Sequence, residues 1–157
     1  MTPIYSMPLH KLVTEFHMKP AYLSSDYEKI QIAADEITRP GLQMMGFFDH
    51  FEPMRIQILG TVESTYLHQM STAERYTFFE RFFSYRIPAL VVARDLEIVP
   101  ECLEMAECYD ITVLRCEEST STLISGMIAV LRQALAPRIT RHGVLVDVYG
   151  EGIFICG

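Results

Sequence analysis

No apolar run in this chain approaches the ~20 residues that a membrane-spanning helix requires. The opening Met1-Thr-Pro-Ile-Tyr-Ser6 has neither the basic start nor the apolar core of a secretory signal. A basic surplus is missing too. Thirteen Lys and Arg stand against 20 Asp and Glu, for a formal net charge of −7, and only Lys11, Lys19 and Lys29 are lysines. That balance argues against a nucleic-acid partner, which would call for a basic face. The cysteines Cys102, Cys108, Cys116 and Cys156 form no C-x-x-C pair, and no histidine lies near the first three, so zinc-ligand spacing is lacking. Reduced thiols in a cytoplasmic protein fit this usage. Ser64, Ser84 and Ser121 lack a G-x-S-x-G context, and no Ser/His/Asp or Cys/His arrangement is visible. There are no internal repeats and no low-complexity tracts.

What is present is globular composition, 50% apolar and 21% charged. A chain of 157 residues suffices for one ordinary domain, or for one domain and part of a second. Leu9, Leu12, Val13 and Phe16 recur at helical spacing, with Ser6 as a candidate cap and Pro8 in the first turn. Pro20 ends that segment. Lys29–Ala33 alternates as a strand does, and Thr38-Arg-Pro-Gly41 is turn chemistry. Strands and helices then take turns. Arg55–Leu59 is a strand ending at Gly60, and a helix follows over Thr61–Gln69. Ser71-Thr-Ala-Glu74 is a capping box, in which Ser and Glu each satisfy the other's free amide. It opens a helix with Phe79, Phe82 and Phe83 on one side. Ile87–Ala93 is a strand, Pro100 opens a helix, Ile111–Arg115 is a strand, and Thr120 or Ser121 caps a long helix through Leu135. Short continuous apolar strands between helices predict an α/β fold, a mainly parallel sheet flanked by helices on both faces. Pro137 and the polar Ala136–Arg141 interrupt the rhythm. The expected organisation is an α/β domain over 1–135, a linker over 136–141 and the β beginnings of a second domain over 142–157.

Four places carry candidate chemistry. His142-Gly-Val-Leu-Val-Asp-Val-Tyr-Gly150 reads as a strand running into a turn, and Ile153-Phe-Ile-Cys-Gly157 as an apolar strand ending in glycine. An apolar strand that ends in glycine is how a phosphate-binding loop begins. His142, adjustable near neutral pH, is either a group working beside bound phosphates or a surface histidine at a strand start. Arg39-Pro-Gly with Phe47, Phe48 and Phe51 is either an anion-and-aromatic pocket or a turn packing its rings inward. Met44-Met45 reads as packing. Glu101, Glu104 and Glu107, spaced i, i+3, i+6, share a helix side, read as solvated rather than catalytic.

Four segments in order resemble the bacterial HPr kinase/phosphorylase family. Arg39-Pro-Gly-Leu42 with Gly46-Phe-Phe-Asp-His-Phe51 is similar to that family's R-P-G-L…G-[FY]-F-[DE]-[YH]-[FY]. Arg55–Gly60 resembles its next strand, Phe83-Ser-Tyr-Arg-Ile-Pro-Ala89 its F-S-Y-x-I-P, and Ala136-Pro137 with His142–Gly150 the lead into its kinase domain. The resemblance implies an N-terminal α/β regulatory domain similar to the first domain of the muropeptide ligases. It implies a second domain that uses ATP and Mg²⁺ to phosphorylate a serine of the phosphocarrier HPr and removes that phosphate by phosphorolysis, in a cytoplasmic hexamer. His142 matches the family's active-site histidine and Gly157 the first glycine of its phosphate loop. The loop Lys and Ser/Thr, the catalytic Asp and the Mg²⁺ ligands would follow Gly157, so the chain by itself is expected to be inactive, with no cofactor of its own. The other expectation is a stand-alone ligand- or protein-binding module.

Overall fold

The computed structural model describes residues 5–137. His142, Gly157, the linker from residue 138 onward and the two C-terminal strands expected from the sequence lie outside the described residues. The parallel α/β expectation is met. A five-stranded sheet has the order β2-β7-β6-β5-β4, built from β2 (Lys19–Tyr22), β4 (Ile37–Thr38), β5 (Ile56–Leu59), β6 (Leu90–Val92) and β7 (Val113–Arg115). Strands β4 to β7 run parallel, in sequence order, and β2 closes one edge antiparallel to β7. A two-residue ladder, β1 (Met7–Pro8) with β3 (Gln31–Ile32), stands apart.

The inner strands β5, β6 and β7 are mostly apolar because both faces of the sheet are covered there. On one face Leu59, Leu90, Val92 and Val113 meet α3 (Thr61–Gln69), α4 (Thr72–Ser84) and α5 (Pro100–Tyr109). The fill there is aromatic, since Phe79, Phe82 and Phe83 are fully enclosed. On the other face Ile56, Ile58, Val91 and Leu114 meet α1 (Leu9–Glu15) and α6 (Thr120–Leu135) through Leu9, Leu12, Leu123, Met127 and Leu131. Alternate residues of one strand thus serve different cores, as the two-residue period of a strand dictates.

Local chemistry sets the boundaries. Ser71 Oγ accepts from the Glu74 amide at 3.1 Å, and Glu74 Oε1 accepts from the Ser71 amide at 2.8 Å, so the capping box starts α4 where expected. Pro100 occupies the first turn of α5, where its missing N–H costs nothing. Three local expectations are corrected. The cap of α6 is Ser119, whose Oγ accepts from the Thr122 amide at 3.2 Å. Ser6 caps nothing, because its hydroxyl donates to Gln31 Oε1 at 2.8 Å across the small ladder. Pro20 does not merely end a helix; it sits within β2, opposite Leu114, on an edge where a strand tolerates a residue without N–H.

Candidate functional site

The carboxyl ends of parallel strands are where open α/β sheets place their ligands. Here the end of β5 is the most constructed point on that rim. Gly60 ends the strand and begins α3. Lacking a side chain, it cannot cap the helix itself, so only the return arm of a capping box exists: Glu63 Oε1 accepts from the Gly60 amide at 2.7 Å. The same carboxylate receives Arg39, which follows β4, through Nε and Nη2, each at 3.1 Å. This two-pronged contact fits the fixed fork of a guanidinium. Glu63 is only 6% exposed and the Arg39 side chain 41%, so the pair lies half inside the protein with its cation facing out. A β-carbon added at Gly60 would collide with Thr120 Oγ1 and stand 3.1 Å from Arg39 Nη2 and 3.3 Å from Glu63 Oε1. The starts of α3 and α6, which pack on opposite faces of the sheet, therefore meet at this glycine.

The opposite rim holds a second polar cluster. Asp110 ends α5 with a left-handed backbone, φ 58°, a conformation that Asp tolerates better than most residues. Its carboxylate accepts from the Ser25 hydroxyl, from the Ser25 amide at 2.9 Å and from Tyr22 Oη at 2.9 Å. The Ser25 hydroxyl bond, then the Ser25 amide and the Tyr22 hydroxyl, hold its carboxyl below the ordinary range. The bond to Asp110 in turn raises the Tyr22 phenol, with burial adding to it. Arg86, also left-handed with φ 60°, donates from Nη1 to the Tyr109 carbonyl at 3.0 Å. The bonds of these two left-handed residues tie β2, the end of α4 and α5 together. A cleft of about 320 Å³ beside the cluster is lined by Ser24, Asp26, Arg86 and Thr112 over an apolar floor including Ile87 and Ile111.

The sequence candidates fall as follows. Arg39 and the aromatics do not form one pocket. Arg39 turns to Glu63, while Phe48 stacks on Tyr85 at 5.1 Å, Phe51 meets Tyr85 edge-on at 5.2 Å, and the Arg81 guanidinium lies 4.1 Å above Phe48. The Gly46–Phe51 and Phe83–Ala89 segments thus pack on one another. Met44 is buried, but Met45 is exposed beside Tyr66 in a cleft of about 630 Å³ between the α2 turn (Gly41–Met44), α3 and α4. The three glutamates of α5 do not share one solvated side. Glu101 is buried against Arg75 Nη1 at 3.5 Å, Glu104 accepts from Tyr76 Oη at 2.7 Å, and Glu107 is exposed. Cys102 and Cys116 are buried and Cys108 is exposed, all with free thiols, and burial pushes the Cys102 thiol far up. Among the described residues no group of three or more His, Cys, Asp or Glu side chains could hold a metal ion. No described helix is long and apolar enough to cross a membrane. The Gly60–Glu63 latch was missed from sequence, although a Glu three residues into a helix that starts on Gly is half of a capping box and was there to be read.

The chain is similar to known proteins in both sequence and fold. Relatives named HPr kinase/phosphorylase include those of Lachnoclostridium phytofermentans, 38% identical over 98% of this chain and 50% of the relative; of a Thermoanaerobacter strain, 40% identical over 96% and 49%; and of Streptococcus thermophilus, 41% identical over 93% and 47%. The chain spans about half the length of the curated relatives it matches. A solved structure of the CBS and DRTGG domains of the regulatory region of Clostridium perfringens pyrophosphatase, complexed with its activator diadenosine tetraphosphate, superimposes with a TM-score of 0.58. It has 13% identity and covers 88% of this chain and 53% of that one, a likeness of fold alone. The profile described as HPr Serine kinase N terminus matches residues 7–131, nearly the whole of the folded α/β unit, and the chain therefore belongs to the HPr serine kinase N-terminal family.

Proposed function

We propose that this chain is the N-terminal, regulatory portion of a bifunctional kinase/phosphorylase that phosphorylates and dephosphorylates a serine of HPr in the cytoplasm. The observation that carries the reading is the family match over 7–131, together with similarity to HPr kinase/phosphorylases that continues over most of the chain yet spans only half of each relative. In this reading residues 1–135 are the α/β domain, 136–141 the linker and 142–157 the start of the kinase domain. ATP and Mg²⁺ belong to that second domain, where Gly157 opens the phosphate loop and His142 works as the acid-base group beside the phosphates. Phosphoryl transfer depends on a loop that cradles the phosphates and on a metal that offsets developing charge. The 157-residue chain is accordingly inactive alone, HPr is the protein partner, and the complete protein assembles as a hexamer without nucleic acid or membrane.

The test is ATP-dependent phosphorylation of HPr by this chain and by a version extended to the full length of its relatives. Activity in the extended protein alone, abolished by His142→Ala, supports the assignment. Activity in neither form overturns it and leaves the second reading, a binding module. The self-contained α/β unit, with a core on each face of its sheet, favours that reading, and it predicts a dose-dependent thermal shift with nucleotide sugars or sugar phosphates.

A further inference from the structure

We propose that the face formed by the α2 turn, α3 and α4 is a docking surface for a second copy of this chain, the two copies meeting about a two-fold axis near Thr77. The inference goes beyond the kinase reading and does not rest on it. The cleft of about 630 Å³ on this face has Met45, Phe48, Tyr66 and Met70 among its walls. Methionine and aromatic rings are what the centre of a protein interface gathers, and methionine adapts its shape to a partner. On the lip of the cleft the α2 turn and the residue after it project Leu42, 59% exposed, and Met45, 69% exposed. Single apolar residues on a surface need no partner, but apolar projections on the lip of an apolar cleft mark an interaction site.

Charge and shape choose the occupant. The chain carries a net charge of −7, so two copies repel one another on average. On this face the charges balance, because the described residues lining the cleft include one carboxylate, Glu74, and one guanidinium, Arg81. Both are exposed on α4, seven residues apart with Thr77 and Phe78 between them, or about 10.5 Å along the helix axis. A two-fold axis at that midpoint lays the α4 helices of two copies antiparallel. It sets Glu74 of each copy against Arg81 of the other, so one patch is its own complement, as a two-fold interface demands. Ala73 and Thr77, small and exposed on the same strip, let the helices approach. Glu74 accepts from the Ser71 amide through Oε1 and keeps Oε2. Arg81 donates from Nη1 to the Gly46 carbonyl at 3.4 Å and keeps its other donors. That bond ties the α2 turn to the Arg81 end of α4. The same rotation therefore carries the Leu42 and Met45 projections of each copy over the Glu74 end of the other, where Met70 lines the cleft.

Sedimentation velocity of the 157-residue chain over a ~100-fold range of concentration tests this. A reversible shift from monomer to dimer is expected. Thr77→Arg puts a long cation on the axis at an exposed position and should abolish the dimer. Arg81→Glu sets two pairs of carboxylates together and should weaken it at least ~10-fold. Glu74→Arg combined with Arg81→Glu reverses both charges, restores opposite pairing and should recover most of the loss. A monomer at every concentration overturns the proposal, as do larger assemblies without a dimer. A dimer unmoved by Thr77→Arg overturns it too, because another surface then carries the contact. A double reversal as weak as Arg81→Glu removes the antiparallel pairing. Thr77→Arg decides even if the charge variants fold poorly. None of these outcomes touches the HPr phosphorylation assay, so the two readings fall separately.

Discussion

Replacing Arg39 with Met should expose how the β5 tip is held. The substitution keeps an apolar stem and removes both donors from Glu63, which lies 3.1 Å from each and is 6% exposed. A buried carboxylate stripped of its partner costs 3–5 kcal/mol in general, by leaving a charge without compensation. Glu63 keeps the Gly60 amide at 2.7 Å, and the vacated space opens to water on the side where Arg39 was exposed, so the figure should fall to about 2 kcal/mol. For a chain of this size that is a fall in Tm of about 4–8 °C. Glu63→Gln is the informative counterpart. It retains an acceptor for the Gly60 amide and frees an arginine that can turn to solvent, so it should cost only about 1 kcal/mol. The double variant should cost less than the sum of the two, with a coupling of at least about 1 kcal/mol. Urea denaturation of the four proteins measures all of this. A loss below about 0.5 kcal/mol in Arg39→Met, with additive effects, would mean the pair behaves like a solvated surface bridge and would refute the latch.

Four further outcomes are expected. The Asp110 carboxyl is held low by Ser25 and Tyr22, so its contribution is present above the ordinary carboxylate pKa and is lost as pH falls through the lowered value; Asp110→Asn, which keeps the left-handed backbone, should flatten the acid limb of a denaturation-midpoint profile. The Tyr22 phenol is raised, so its contribution is present below its ordinary pKa of 10.0 and is lost as pH rises through the raised value; Tyr22→Phe should remove that alkaline limb. Ser71→Ala breaks one arm of the α4 capping box and should cost about 1 kcal/mol by urea titration. Gly126→Ala, mid-helix in α6, would ordinarily gain about 1 kcal/mol, but the new methyl meets Phe16 Cε1 at 2.8 Å; calorimetry should show no rise in Tm, and Phe16→Leu should restore the gain.

What was legible in the sequence was local. The capping box at Ser71, Pro100 at a helix start and the apolar runs ending at Leu59, Val92 and Arg115 each carry their own cause within a few residues, and the elements stand near where those signals put them. The β2 strand was not legible. Lys19-Pro-Ala-Tyr22 is short, polar and broken by proline, and its strand character comes wholly from pairing with β7, over ninety residues away in sequence. Ser6 and Glu101 failed for the same reason. Each has the right residue type at the right local spacing, but a distant partner, Gln31 or Arg75, claims the side chain.

The β5 tip shows the same distinction at a single point. Its half capping box, Gly60 to Glu63, is local and readable, whereas Arg39 arrives from the preceding strand and Thr120 from the far end of the chain, on the opposite face of the sheet. Parallel topology brings them together, because every β-to-α turn in such a sheet opens onto the same rim. Sequence pattern left two readings of Arg39 and the aromatic loop, a shared pocket or rings packed inward, since those residues are neighbours in the chain. The rings pack inward at the end of α4, where burying their area against Phe82 and Tyr85 stabilises more than contact with a solvated cation would. Freed from the aromatics, Arg39 neutralises a carboxylate that holds a glycine amide, and the missing β-carbon at Gly60 is what lets Thr120, Arg39 and Glu63 close on one point.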